Sequence, residues 1–325
     1  MDINLINNIS KTLSVEINEE NLEKLHGDAS TRIYWRLNTS IGTWIVSEQE
    51  PFSPDSDFIN IANFLTKHNI AVPKIINTMP DKGIIITQDI GNDDLFKKAR
   101  DNVLENLKLY EEAIDTIIKM QTKLPTDNSC IAFKRAFDEP KWLWELEHTE
   151  NYFFRRFLNP KLSDQEWNLI KTSFKNIAKE IDLSILKFSH RDYHSRNILY
   201  FNKKLFLIDF QDARLGPPLY DLVSILRDCY IELPKKEEAK LIQRYKNGIN
   251  FKIPNFEEQY LVAALQRHLK ACGTFAYQSI ERKNNFYLKF IRHTWDLILQ
   301  ESKSLPVFKG LHTLFNKISL PENLT

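Results

Sequence analysis

The sequence predicts an α+β chain of two lobes: a small β-sheet N-lobe over residues 1–90 and a mainly helical C-lobe over 91–325. Three observations carry this. Short apolar and β-branched runs separated by turn residues fill the first ninety positions, with one stretch at helical spacing among them. From there on, apolar residues recur every three or four positions almost throughout. The exception lies inside the helical half, where two short apolar runs, 198–201 and 205–208, flank Asn202-Lys203-Lys204 and read as a hairpin.

In chain order, Ile33-Tyr34-Trp35-Arg36-Leu37 and Thr43-Trp44-Ile45-Val46-Ser47 read as the first hairpin. Residues 57–68 place Phe58, Ile61, Ala62 and Leu65 on one helical face. Two more strands, 72–76 and 84–87, surround Pro80-Asp81-Lys82-Gly83, and residues 88–92 connect to the second lobe. There the spacing predicts helices over 102–123, 140–157, 164–181, 219–230, 235–247, 257–282 and 286–302. The mixed charges of 235–240 mark a solvated helix face.

Composition excludes several classes. A net charge of +1 gives no footprint for nucleic acid. No apolar run approaches the roughly 20 residues of a membrane span, and residues 1–17 lack the apolar centre of a secretory signal. Cys130, Cys229 and Cys272 have no paired spacing and read as free thiols of a cytoplasmic protein. Neither a repeat nor an obligate protein partner is evident.

Two motifs carry chemistry. His190-Arg191-Asp192-Tyr193-His194-Ser195-Arg196-Asn197 reads H-R-D-x-x-x-x-N, and Asp209-Phe210-Gln211 follows the hairpin. Phosphoryl transfer from ATP needs a carboxylate to receive the proton of the attacking hydroxyl, and oxygen donors to hold Mg²⁺ on the phosphates. Asp192 fits the first need; Asn197 and Asp209 fit the second, and the hairpin returns one towards the other. With the two-lobe pattern, this predicts a bilobal protein-kinase-like fold with ATP between the lobes.

The pattern also departs from a kinase. The chain has eight glycines and no G-x-G-x-x-G before the first hairpin; His26-Gly27-Asp28-Ala29-Ser30-Thr31 is the nearest candidate. Trp44-Ile45-Val46-Ser47-Glu48 has no lysine for the phosphates, and the following helix offers Asn60 where its glutamate partner would sit. Arg32 and Arg36, alternating on a strand, are either substitute phosphate ligands or solvated strand residues. Ser30 and Thr31, with Gln88 and Asp89 at the connector, complete the nucleotide-binding candidates.

These motifs resemble the aminoglycoside-phosphotransferase and choline-kinase superfamily. Phe210-Gln211-Asp212-Ala213 and Arg267-His268-Leu269-Lys270 are most similar to bacterial anomeric kinases of N-acetylmuramate and N-acetylglucosamine. The resemblance covers nearly the whole chain. It implies that ATP phosphorylates the anomeric hydroxyl of a free amino sugar to the sugar 1-phosphate, in peptidoglycan recycling. It further implies that His190 and Arg191 brace the catalytic loop and that Asp221 accepts hydrogen bonds from its backbone. Acceptor candidates are Gln211, Asp212, Asp228, Arg267, His268, Lys270 and Glu145. Glu147 and Tyr152 share a predicted helix with Trp142 and Trp144, an aromatic cluster that serves either as core or as cleft lining. The competing readings are an aminoglycoside or choline-type hydroxyl kinase, whose cationic acceptor needs an acidic pocket, and a nucleotide-binding pseudokinase.

Overall fold

A computed structural model describes residues 1–25 and 32–324. Along the chain run α1 (Ile3–Leu13), β1 (Leu22–Leu25), β2 (Ile33–Thr39), β3 (Gly42–Glu48), α2 (Asp57–Lys67), β4 (Ile75–Met79), β5 (Ile84–Gln88), α3 (Leu95–Ala99) and α4 (Leu107–Lys123). Next come α5 (Glu139–Thr149), a π-helical continuation over Glu150–Leu158, α6 (Asp164–Glu180), β6 (Lys187–Ser189), β7 (Ile198–Phe201), β8 (Lys204–Leu207) and β9 (Arg214–Gly216). The chain closes with α7 (Leu219–Leu226), α8 (Lys235–Gly248), α9 (Phe256–Arg282), α10 (Ile291–Ser304) and α11 (Lys309–Phe315).

Two compact units result. The first joins Met1–Asp93 to Ile198–Gln211; the second joins Asp94–Asn197 to Asp212–Thr325. The sequence reading put the 198–208 hairpin with the helical half. Its backbone goes the other way: Tyr200 N–H donates to the Asp93 carbonyl at 2.6 Å, and Leu207 N–H to that of Ala71 at 2.9 Å.

The first unit is built on an antiparallel sheet in the order β1-β2-β3-β5-β4. Side chains alternate across it, so Leu37, Val46, Ile84 and Ile86 form one apolar face. Ile6 and Ile9 of α1 cover that face. Asp2 caps α1 by accepting from Asn4 N–H at 2.8 Å. Tyr34 and Arg36 fall on the opposite side of β2 from Trp35 and Leu37.

The second unit is organised on α9, which packs against α5, the π-helical segment, α7 and α10. At the α5–α9 crossing Gly273 meets Thr149, whose hydroxyl lies 2.9 Å from the Leu269 carbonyl and 3.0 Å from that of Glu145. A Cβ at position 273 would fall 2.5 Å from Thr149 Oγ1 and 2.8 Å from its Cα. Close approach of two backbones is thus the reason for a mid-helix glycine.

Gly273→Ala sets two effects against each other. Helix propensity favours alanine by about 1 kcal/mol, whereas overpacking costs roughly 1–3 kcal/mol. The clash reaches backbone, so the expected outcome is a net loss of up to about 2 kcal/mol, read as a lower urea midpoint at unchanged slope. An unchanged or higher midpoint would show that the two helices part freely.

Candidate active site

In the second unit, β6 pairs antiparallel with β9, Ser189 opposite Arg214, and delivers the chain into His190. The loop that follows is held from below by Asp221 in the first turn of α7. Its buried carboxylate accepts from Ser189 Oγ at 3.0 Å, His190 N–H at 2.7 Å and Arg191 N–H at 2.9 Å. Arg191 has φ 76, a left-handed conformation that costs a non-glycine residue about 1–3 kcal/mol and persists only when its surroundings impose it. Burial pushes the Asp221 carboxyl up, against the pull of His190 and the donors.

Two more buried carboxylates complete the support. Asp228 accepts from Ser195 N–H at 2.8 Å and Tyr230 N–H at 3.0 Å. Glu145 of α5 takes Arg191 Nη2 on one oxygen at 2.5 Å and Gln266 Nε2 on the other at 2.9 Å. The Arg191 guanidinium also lies 4.7 Å from the Phe137 ring centroid. Arg196, further along the loop, packs its guanidinium against Tyr230, Phe286 and Tyr287.

Asp192 projects from this frame with 22% of its side chain exposed, and Lys270 Nζ of α9 lies 2.6 Å from its Oδ1. Burial pushes its carboxyl up, but Lys270, Arg191 and Arg267 outweigh that and hold it well below the usual carboxylate range. Asn197 Nδ2 donates to the Asp192 carbonyl at 2.9 Å. With the nitrogen end of the amide so fixed, its oxygen is the end suited to a hard cation.

In the first unit, β7 and β8 pair with Ile198 opposite Leu207. The hairpin's two open ends, which continue into Asn197 and Ile208-Asp209, therefore leave from the same edge. Asp209 has φ 62, which aspartate tolerates better than most residues, and Gln211 Nε2 donates to its Oδ1 at 2.7 Å. The buried Phe210 ring stacks on Phe58 of α2 with centroids 5.1 Å apart, and Arg32 lies 5.6 Å from the Phe58 centroid. Arg32 and Asp209 are thus attached to one aromatic pair.

Arg36 is placed differently. Its Nε lies 2.7 Å from Asp89 Oδ2, and its Nη2 lies 3.3 Å from Asp89 Oδ1 and 2.8 Å from Asn92 Oδ1. Asp89 also accepts from Gly91 N–H at 2.9 Å, so both residues fix the chain after β5. Gln88 closes β5 with its N–H on the Lys74 carbonyl. Ser30 and Thr31 lie outside the described residues.

Several acceptor candidates have other work. Glu145 and Asp228 brace the loop. Arg267 is 4% exposed, with Nε 3.1 Å from Ser224 Oγ. His268 is fully buried, its Nδ1 2.9 Å from Glu301 and its Nε2 2.7 Å from the Arg227 carbonyl. These four face partners within the protein in this structure. Gln211 faces Asp209, and the half-open Asp212 lies 3.6 Å from Arg214 and 3.8 Å from Arg191. Lys270 alone of the α9 candidates meets Asp192. Gln266, Glu301 and Arg227 went unread. Each sits in a polar stretch of a long helix or at a helix end, where spacing gives no sign of a buried partner.

No group of three or more His, Cys, Asp and Glu side chains positioned to hold a metal occurs among the described residues. Asn197 of the second unit and Asp209 of the first each carry a hard oxygen of the kind Mg²⁺ prefers. No helix among the described residues is long and apolar enough to cross a membrane.

A family model described as the phosphotransferase enzyme family matches residues 21–270. Among curated proteins, the N-acetylmuramate/N-acetylglucosamine kinase of Pseudomonas aeruginosa is 26% identical over 261 residues, covering 77% of this chain and 74% of that protein. The protein of the same name from Neisseria meningitidis is 27% identical over 262 residues, covering 77% and 76%. Among solved structures, a gentamicin complex of APH(2'')-IIa superposes with a TM-score of 0.64 at 17% identity over 92% of this chain and 96% of that one. Choline kinase LicA from Streptococcus pneumoniae gives 0.63 at 14% identity, over 93% and 99%. This likeness shows the fold, which is the protein-kinase-like one.

Replacing Asp221 tests the frame. Asp221→Ala strips three buried donors of their acceptor, at roughly 1–3 kcal/mol each, and should lower unfolding free energy in urea by about 3 kcal/mol or more. Asp221→Asn keeps one acceptor oxygen and should recover part of that. A loss below about 1 kcal/mol in the alanine variant would show that the loop holds itself.

Proposed function

The chain belongs to the phosphotransferase enzyme family, and from that premise we propose that it transfers the γ-phosphoryl group of ATP to the anomeric hydroxyl of N-acetylmuramate or N-acetylglucosamine. The products are ADP and the sugar 1-phosphate, a reaction of cell-wall sugar recycling. The observation that carries the reading is Asp192, held ionised by Lys270 on a loop that three buried carboxylates fix. Support for the acceptor class comes from the names of the curated relatives.

Asp192 orients the attacking hydroxyl and accepts its proton as the oxygen–phosphorus bond forms and the bond to the ADP oxygen breaks. The anomeric hydroxyl is more acidic than other sugar hydroxyls, so a base of depressed proton affinity serves it late in the transfer. Asn197 and Asp209 would hold Mg²⁺. When bound, that ion supplies neutralisation of charge on the phosphates. Arg32, on the Phe58–Phe210 pair beside Asp209, is one phosphate candidate. Arg36 already has Asp89 and Asn92 on its fork.

A cationic acceptor such as choline or an aminoglycoside is disfavoured. The acidic pocket it needs would draw on Glu145, Glu147, Glu150 and Asp228, of which Glu147 alone is exposed. Glu145 faces Arg191 and Gln266, Glu150 pairs with Arg155 at 2.6 Å, and Asp228 accepts two backbone N–H groups.

ADP release followed with N-acetylmuramate, N-acetylglucosamine, choline and kanamycin tests this reading. Turnover of an N-acetyl sugar is expected, with kcat falling about 10²–10⁴-fold in Asp192→Ala and ATP affinity nearly kept. Turnover of choline or kanamycin without the sugars would sink the acceptor assignment, and activity within a few-fold of the parent would remove Asp192 as base. Asp209→Ala should weaken binding of ATP in the presence of Mg²⁺, measured by calorimetry; unchanged affinity would exclude it as a ligand.

A further inference from the structure

Most aromatic side chains of the second unit are sealed in its core, Trp142, Phe153 and Phe154 among them. A second set is not. Trp144, His148 and Tyr152 recur every fourth residue along α5 and its π-helical continuation, and α9 adds Tyr277. Trp144 is 55% exposed, and the other three are half-buried. The rings form one run: centroids are 5.7 Å apart for Trp144–His148, 4.5 Å for His148–Tyr152, 5.4 Å for His148–Tyr277 and 5.0 Å for Tyr152–Tyr277.

This run has a fixed relation to Asp192. Lys270 and Tyr277 are two turns apart on α9 and share a face. The Thr149–Gly273 crossing seats α5 against that stretch, so His148 and Tyr152 come to lie beside it. His148 is within electrostatic reach of both Lys270 and Glu145. Burial and Lys270 lower its proton affinity, Glu145 opposes them, and the result is below the ordinary value. A half-open aromatic face therefore lies within electrostatic reach of Lys270, which pairs with Asp192. The helix beneath it is π-helical from Glu150 to Leu158, a geometry that is rare and gathers at functional sites.

We propose that His148, Tyr152 and Tyr277 form the acceptor subsite, the surface on which the C–H face of the sugar ring lies while its anomeric hydroxyl meets Asp192. A pyranose presents an apolar C–H face and a polar rim. An aromatic wall takes the face, and Lys270 stands at the edge where the reacting hydroxyl must point. The inference rests on the sugar-kinase reading above and adds the residues that select for a ring over a flexible amino alcohol.

Steady-state kinetics of Tyr277→Leu and Tyr152→Leu test it. The expected result is a rise of about tenfold or more in KM for the N-acetyl sugar, the scale on which losing one apolar contact is felt, with KM for ATP unchanged. Tyr277→Phe, which keeps the ring, recovers most of the loss. Unchanged sugar KM in both leucine variants overturns the subsite. Should neither variant fold, as judged by lost ATP binding, saturation-transfer NMR on the parent decides. Transfer from aromatic protons to the C–H protons of the sugar supports the subsite, and its absence rejects it. A parent that turns over no N-acetyl sugar overturns the sugar-kinase reading instead, so the two failures are distinguishable.

Discussion

The loop around Asp192 depends on one buried carboxylate. Asp221 takes the side chain of Ser189 and the backbone N–H groups of His190 and Arg191 at once. Backbone N–H groups that a left-handed Arg191 turns away from any regular ladder thereby find an acceptor. Desolvating an aspartate is expensive, and three donors in the right places are what makes it tolerable. Asp228 repeats the device at Ser195, and Glu145 repeats it with side chains in place of backbone. In all three cases the charged group serves geometry. That leaves Asp192 as the acidic side chain of the loop that reaches towards solvent, and Lys270 keeps it ionised.

Much of this was legible in the sequence, and what was not has physical reasons. The H-R-D-x-x-x-x-N run, the hairpin after it and Asp209 could be read because their chemistry requires fixed residue types at short spacing. The sheet could be read because Ile84-Ile85-Ile86 and the alternation around Val46 show a strand period. By contrast, α1 was missed: Asn, Ser and Lys interrupt its five Ile and Leu residues, and only Ile6 and Ile9 are buried. The continuation past Thr149 looked like one helix, since π and α turns share almost the same apolar spacing. The burial of His268 and Arg267 was not legible, because polar residues on a helix normally face water. Their partners, Glu301, the Arg227 carbonyl and Ser224, lie far away in the chain, and tertiary packing alone brings them together.

The first unit lacks the usual phosphate lysine and its glutamate, and its two arginines, the proposed substitutes, are placed differently. Arg36 is closed into Asp89 and Asn92 and serves to fix the chain beyond β5. Arg32 packs over Phe58, which also stacks with Phe210. Since Phe210 adjoins Asp209, a rigid aromatic stack couples the proposed metal ligand to the proposed phosphate ligand. Strand alternation predicted that the two arginines act alike. Side-chain packing separates them, because only the one at the strand's beginning reaches α2.

Charge alone gives little basis for choosing an acceptor. Arg191, Arg267 and Lys270 surround Asp192, but Glu145 pairs with Arg191 and Asp192 itself with Lys270. Buried Asp221 and Asp228 add further negative charge nearby. An acceptor carboxylate would meet no large surplus of positive charge, and of the carboxylates a cationic acceptor could use, Glu145, Glu150 and Asp228 are paired while Glu147 is exposed. Selection then falls to shape and to the kind of surface offered. One helix, α9, is suited to supply both. Within three turns it places Gln266 under the loop, Lys270 on Asp192, the proposed base, Gly273 at the crossing and Tyr277 in the exposed aromatic run. A change at any of these positions moves a different part of the site. On the proposed reading, the long helix is a ruler that sets the distance from the reacting hydroxyl to the ring that carries it.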